Sequence, residues 1–81
     1  MGSRVQHTVF YRRLCTLLRE LREKANLSQR ALALKLKKPP SYVHKCEVGD
    51  RRVDPVEFLE WCRCCEVDIH SAWDKLQDRI S

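Results

Sequence analysis

The sequence predicts an all-α fold, a compact orthogonal bundle of about five short helices. Apolar residues recur at steps of three and four along most of the chain, the period of one helix face. Cap and breaker residues at Asn26, Ser28, Pro39-Pro40, Gly49, Asp54-Pro55 and Asp68 divide that pattern into short pieces. No stretch shows the alternation of a half-buried strand, and no repeat or low-complexity tract is present.

The first helix runs from about Val9 to Ala25, with Phe10, Leu14, Leu17, Leu18, Leu21 and Ala25 on one face. Asn26 stops it, because asparagine tolerates the left-handed conformation that closes a helix. Ser28 caps a second, shorter helix bearing Ala31, Leu32, Leu34 and Leu36. Lys37-Lys38-Pro39-Pro40 breaks it, since a residue before proline avoids helical geometry. Pro40 suits the first position of a third helix, where its missing N–H is not needed. That helix reaches about Val48, turns Val43 and Cys46 inward, and ends at Gly49. Asp50 to Val53 is a connection. Asp54, Pro55 and Glu57 supply cap, first position and third position of a fourth helix, which holds Phe58, Leu59, Trp61, Cys62 and Cys65. Asp68 caps a fifth, where Ile69, Ala72, Trp73, Leu76 and Ile80 share a face.

Eighty-one residues are enough for one domain, expected over 9–81 behind a flexible arm of residues 1–8. Met1-Gly2-Ser3 reads as a tag remnant. The net charge is +5, and the stretch from Gln29 to Arg52 carries seven basic side chains against two acidic ones. Such a patch favours an acidic partner, nucleic acid or anionic lipid. Five unevenly spaced cysteines do not form a disulfide framework, and no apolar run is long enough to span a membrane. A reducing cytoplasm is the expected setting. Paired carboxylates, a Gly-rich phosphate loop and a nucleophile–base arrangement are all missing, so no enzyme and no cofactor is expected.

Two short helices joined by a tight turn and flanked by others have the outline of a helix-turn-helix. In that motif the first helix rests on the phosphate backbone and the second enters the major groove. On a helix beginning at Pro40, the outward positions are Pro40, Ser41, His44 and Lys45. They offer hydroxyl, imidazole and ammonium groups to base edges.

In these residues the chain resembles the Cro/phage-repressor (XRE) family of helix-turn-helix proteins. The match runs from Leu27-Ser28-Gln29 through Leu32-Ala33 and Leu36 to Ser41-Tyr42-Val43-His44-Lys45-Cys46-Glu47-Val48-Gly49 and the following Asp50-Arg51-Arg52. It extends to Leu18–Arg22 and to Phe58-Leu59…Cys62-Arg63, covering roughly residues 12–68 without gaps. The resemblance implies base reading by Pro40, Ser41 and Lys45, with His44 beside them. It implies that Gln29 contacts a phosphate and braces the third helix, that Tyr42 lies near the DNA backbone, and that Arg51 and Arg52 follow the phosphates. On such a motif Arg30, Lys37 and Lys38 also read as phosphate contacts. Glu47 is expected to take a buried salt bridge from Arg22. Two departures stand out. Lys37 replaces the family's turn glycine, so an ordinary side chain must take another turn or the left-handed region. Pro39-Pro40 replaces the usual cap and adenine-reading Gln, and Pro40 can only pack, for example on a thymine methyl.

Cys62-Arg63-Cys64-Cys65 with His70 has metal-binding atom types at the wrong spacing for a zinc knuckle. Cys46, Cys62 and Cys65 read as core, Cys64 as an exposed, redox-sensitive thiol, and no metal is expected. Short helices cannot easily cover Trp61, Ile69, Trp73, Leu76 and Ile80, which points to a symmetric homodimer built on the last helix. The functional expectation is a prokaryotic or phage regulator, repressor or autoregulator, that binds an inverted repeat in duplex DNA at the nucleoid. The alternative is an antitoxin or restriction–modification controller that binds DNA, a protein partner, or both. A toxin or RNA polymerase would be such a partner.

Overall fold

The computed structural model describes residues 8–80, and the side chains of residues 8–78. Five helices follow one another: α1 Val9–Lys24, α2 Gln29–Lys35, α3 Tyr42–Val48, α4 Pro55–Cys64 and α5 Ile69–Ile80. Among the described residues no strand forms. The expected arm lies outside the described residues, except for Thr8, which caps α1 by accepting from the Tyr11 N–H at 3.1 Å. The same device recurs where it was expected. Ser28 accepts from Ala31 N–H at 3.0 Å, and Asp68 from Ser71 N–H at 3.1 Å. Asp54 and Glu57 close a reciprocal capping box on α4.

The first four helices all close with one motif. One residue at each end turns left-handed: Asn26 (φ 60°), Lys37 (φ 59°) and Glu66 (φ 58°) just after the cap, and Gly49 (φ 86°) as the cap itself. The next N–H then reaches back to a carbonyl of the last turn. Leu27 donates to Arg22, Lys38 to Ala33, Asp50 to Lys45 and Val67 to Cys62, at 2.9–3.2 Å. This double return satisfies carbonyls that a helix end would otherwise strand. Only one of the four is glycine. Lys37 therefore holds the left-handed form that its replacement of a turn glycine left open.

The core joins all five helices. Leu17, Leu18 and Leu21 of α1 meet Leu32 and Ala33 of α2, Val43 and Cys46 of α3, Phe58 and Cys62 of α4, and Ala72 and Leu76 of α5. Trp61 is 0% exposed at its centre, and its indole N–H donates to the Leu18 carbonyl at 3.1 Å. That bond corrects the expectation that Trp61 serves a dimer interface. A buried indole needs a partner for its N–H, and the α1 backbone supplies it. Leu76 is likewise buried, whereas Ile69 is only partly covered. Trp73 alone of the described group is exposed, at 52%; the Ile80 side chain lies outside the described residues.

Two further positions differ from the expected pattern. Phe10 is exposed, and Tyr11 takes its place at the head of the inward stripe Tyr11, Cys15, Leu18. Leu34, read as part of the apolar face of α2, is 79% exposed, because Leu32 and Ala33 already fill the contact with the core. All five cysteines are free thiols. Cys46, Cys62 and Cys65 are packing residues, and burial pushes each thiol up to about 11, so they stay protonated at neutral pH. Cys64 is half-buried rather than fully exposed. Among the described residues no group of three or more His, Cys, Asp or Glu is placed to hold a metal ion. No described helix is long and apolar enough to cross a membrane.

The left-handed Lys37 gives a direct test of backbone strain. A side chain costs about 1–2 kcal/mol there, and glycine avoids that cost while losing about 0.5–1 kcal/mol of chain entropy. Lys37→Gly should raise stability by up to about 1 kcal/mol, a shift of several degrees in Tm read by circular dichroism. A lowered Tm would show that the turn is not strained.

Candidate nucleic-acid interface

The turn between α2 and α3 sets the stage. Tyr42 N–H donates to the Pro39 carbonyl at 3.0 Å, closing a turn over Pro40 and Ser41. Ser41 sits at φ −83°, ψ −6°, the third position of a type I turn, with proline favoured just before it. This moves the start of α3 from the expected Pro40 to Tyr42. The two prolines complete a turn, and the helix follows. Ser41 makes no capping bond with its side chain. Pro40, Ser41, His44 and Lys45 are all exposed on one side, and Val43 and Cys46 are buried on the other. The expected stripe is therefore intact, although its first two residues belong to the turn.

What fixes α3 is a three-sided polar network. Arg22 of α1 donates from Nε to Glu47 Oε2 at 2.7 Å and from Nη2 to Oε1 at 3.2 Å. Its Nη1 donates to the Leu27 carbonyl in the α1–α2 turn at 2.9 Å. Gln29, first residue of α2, donates from Nε2 to Glu47 Oε1 at 3.0 Å. The Arg22 and Glu47 side chains are 12% and 3% exposed, so this is a nearly dry, two-point pair. It is the pair expected from the resemblance, and Gln29 braces α3 through the same carboxylate. Among the described residues no buried side-chain nitrogen or oxygen lacks a partner.

Cations surround the stripe. Arg30, Lys38 and Pro40 line one open groove of about 530 Å³ along α2, together with Leu34. Lys37 is exposed at the tip of the turn. Tyr42, expected near the DNA backbone, is buried at 6% exposure, so little of it faces a ligand. Lys38 Nζ and the Arg51 guanidinium stand over its ring, 5.2 and 4.9 Å from the centroid. Arg51 is also paired with Glu57 at 2.9 Å, and its Nη1 donates to the Arg52 carbonyl at 2.8 Å. Arg52 stands over the Tyr11 ring at 4.6 Å. The Tyr11 hydroxyl accepts from Val53 N–H at 2.9 Å, tying the loop after α3 to α1. Tyr11 and Glu57 are the residues that sequence reasoning missed as parts of this face. Glu57 was legible only as a cap. Tyr11 competed with the more apolar Phe10, one position away, for the inward face.

Breaking one half of the buried pair leaves the other charge unpaired. Glu47→Ala or Arg22→Ala should each cost about 3–5 kcal/mol, much of the stability such a domain has. The double variant Arg22→Met/Glu47→Leu should cost less than either single variant in urea unfolding. Two mild and additive single losses would mean that the pair is effectively solvated.

Comparison with known proteins agrees with this geometry. A family model described as "Helix-turn-helix domain" matches residues 13–72. The chain is also similar to the solved structure of an XRE-family like protein from Pseudomonas syringae pv. tomato str. DC3000. The two are 35% identical, with 95% of this chain and 94% of that one covered and a TM-score of 0.81. Among curated proteins none matches the chain. With the polar network, the α2–turn–α3 geometry and these likenesses in agreement, the chain belongs to the XRE-type helix-turn-helix family of DNA-binding regulators, a fold typical of regulators rather than of enzymes.

Proposed function

We propose that this protein reads a specific duplex DNA sequence through α3 and controls transcription there as a homodimer on an inverted repeat. The observation that carries the reading is the exposed stripe Pro40, Ser41, His44 and Lys45, presented by the proline turn and by the helix α3 that Arg22, Gln29 and Glu47 lock to the bundle. The major groove is about 12 Å wide and admits one such helix. Lys45 suits the acceptors of guanine, Ser41 and His44 can meet either kind of edge group, and Pro40 packs on a thymine methyl. Arg30, Lys37, Lys38, Arg52 and the remaining amide capacity of Gln29 meet phosphates, which fix register without reading sequence. Arg51 joins them by sharing its guanidinium between Glu57 and a phosphate.

The dimer reading now rests on α5 and centres on Trp73, since Trp61 and Leu76 are used inside the protomer. A large aromatic left half exposed on the last helix is the surface a second copy would cover. Two copies related by a two-fold axis would set their α3 helices about 34 Å apart, one turn of DNA. Repression or autoregulation at the nucleoid is the action we infer, in keeping with the repressor-like members of the family it resembles.

Selection from random duplex DNA, followed by titration of the enriched duplex at several salt concentrations, tests this. An inverted repeat should be enriched. Ser41→Ala/Lys45→Ala should weaken binding to it at least about tenfold while leaving mixed-sequence binding nearly unchanged. Trp73→Ser should leave the fold intact and shift the protein from dimer to monomer in sedimentation. Absence of any enriched motif, with the double variant binding like the wild type, contradicts the assignment of α3.

A further inference from the structure

Two buried rings stand beneath the cations that flank α3. Tyr42 carries Lys38 and Arg51, and Tyr11 carries Arg52, all within 4.6–5.2 Å of a ring centroid. Arg51 and Arg52 are consecutive, yet they turn to different rings on different helices. Each ring is fixed independently of its cation. Tyr42 is packed in the core, and Tyr11 is buried with its hydroxyl bound to Val53 N–H, in the same loop that carries Arg52. Burial raises both hydroxyls above the ordinary tyrosine pKa, so both rings remain neutral phenols.

We propose that Tyr11 and Tyr42 are positioning residues for the DNA backbone grip, holding Arg52, Arg51 and Lys38 in the poses in which they meet phosphates. The inference rests on the DNA-binding reading given above and adds to it how the cations are ordered. A long cation free in solution loses rotamer freedom when it docks, which weakens binding. A carboxylate could order it but would cancel its charge. A ring face orders a guanidinium by its quadrupole without itself neutralising the charge or using the in-plane N–H donors. Arg51 shows the contrast within one side chain, with Tyr42 on one side and Glu57 as its ion-pair partner.

The test is binding of the full chain to mixed-sequence duplex DNA across a salt series. Tyr42→Phe keeps the ring and should bind like the wild type. Tyr42→Leu and Tyr11→Leu should each weaken binding about two- to fivefold. Each should also make the salt dependence shallower by up to about one charge, with sequence preference unchanged. Arg52→Lys keeps the charge but should weaken binding, because ammonium lacks the planar stacking face. In an Arg52→Ala background, Tyr11→Leu should have no further effect. Circular dichroism checks that each variant folds. For any that does not, the wild type decides by NMR: the δ-methylene protons of Arg51 and Arg52 should be shifted upfield by the rings. Folded Leu variants with wild-type affinity and salt slope overturn the inference, as do additive losses in the Tyr11–Arg52 cycle or unshifted arginine protons. A wild-type protein that shows no salt-dependent DNA binding overturns both this inference and the DNA-binding reading. Salt-dependent binding that is the same in the folded Leu variants as in the wild type removes only this one.

Discussion

The buried pair between Arg22 and Glu47 links parts of the chain that apolar packing alone would leave loosely oriented. α3 is seven residues long and enters the core mainly through Tyr42, Val43 and Cys46. Apolar burial holds such a helix down but does not set its rotation, because the hydrophobic effect has no direction. A two-point guanidinium–carboxylate contact does have direction. Glu47 receives Arg22 from α1 and Gln29 from α2, and Arg22 also holds the Leu27 carbonyl between those helices. Buried ion pairs add little net stability compared with apolar packing. Here the geometry is what matters, since one carboxylate ties three helices together, and the face of α3 opposite the core is thereby fixed.

Small size shapes the rest. Helices of seven residues have most of their backbone groups at an end, so caps matter more than propensity. Side chains cap the starts of α1, α2, α4 and α5, and left-handed returns close the first four helices. The start of α3 is the exception. A proline turn replaces the cap, which leaves Ser41 without a capping bond and on the outer face. Local structure thus leads directly to the candidate site.

Much of this was legible in the sequence because it is local. The number of helices, the caps at Ser28, Asp54 and Asp68, the stops at Asn26 and Gly49, and the outward stripe at Pro40, Ser41, His44 and Lys45 all follow from periodicity and end signals. The Arg22–Glu47 pair was legible only through family resemblance, since 25 residues separate its members. What periodicity could not supply was the choice among apolar candidates. Trp61 sits in the core because of a carbonyl 43 residues away, and Tyr11 takes the inward position because of an N–H 42 residues away. Tyr42 looked like a surface contact, but the same ring that packs inward also supports Lys38 and Arg51. Turn chemistry explains the shifted start of α3. Proline favours both the first turn of a helix and the second position of a β-turn, and the sequence does not separate the two.

The most direct test of a fixed α3 serving as the reading face is a titration of ¹⁵N-labelled protein with its selected duplex, followed by amide NMR. The largest shifts should fall at Ser41, His44 and Lys45 and in the loop at Arg51 and Arg52. The Arg22 side-chain signals should stay in place, showing that its pairing with Glu47 survives and that α3 docks without rotating. Shifts centred on α5 around Trp73, with residues 41–45 unmoved, would contradict that geometry and place the nucleic acid on another face.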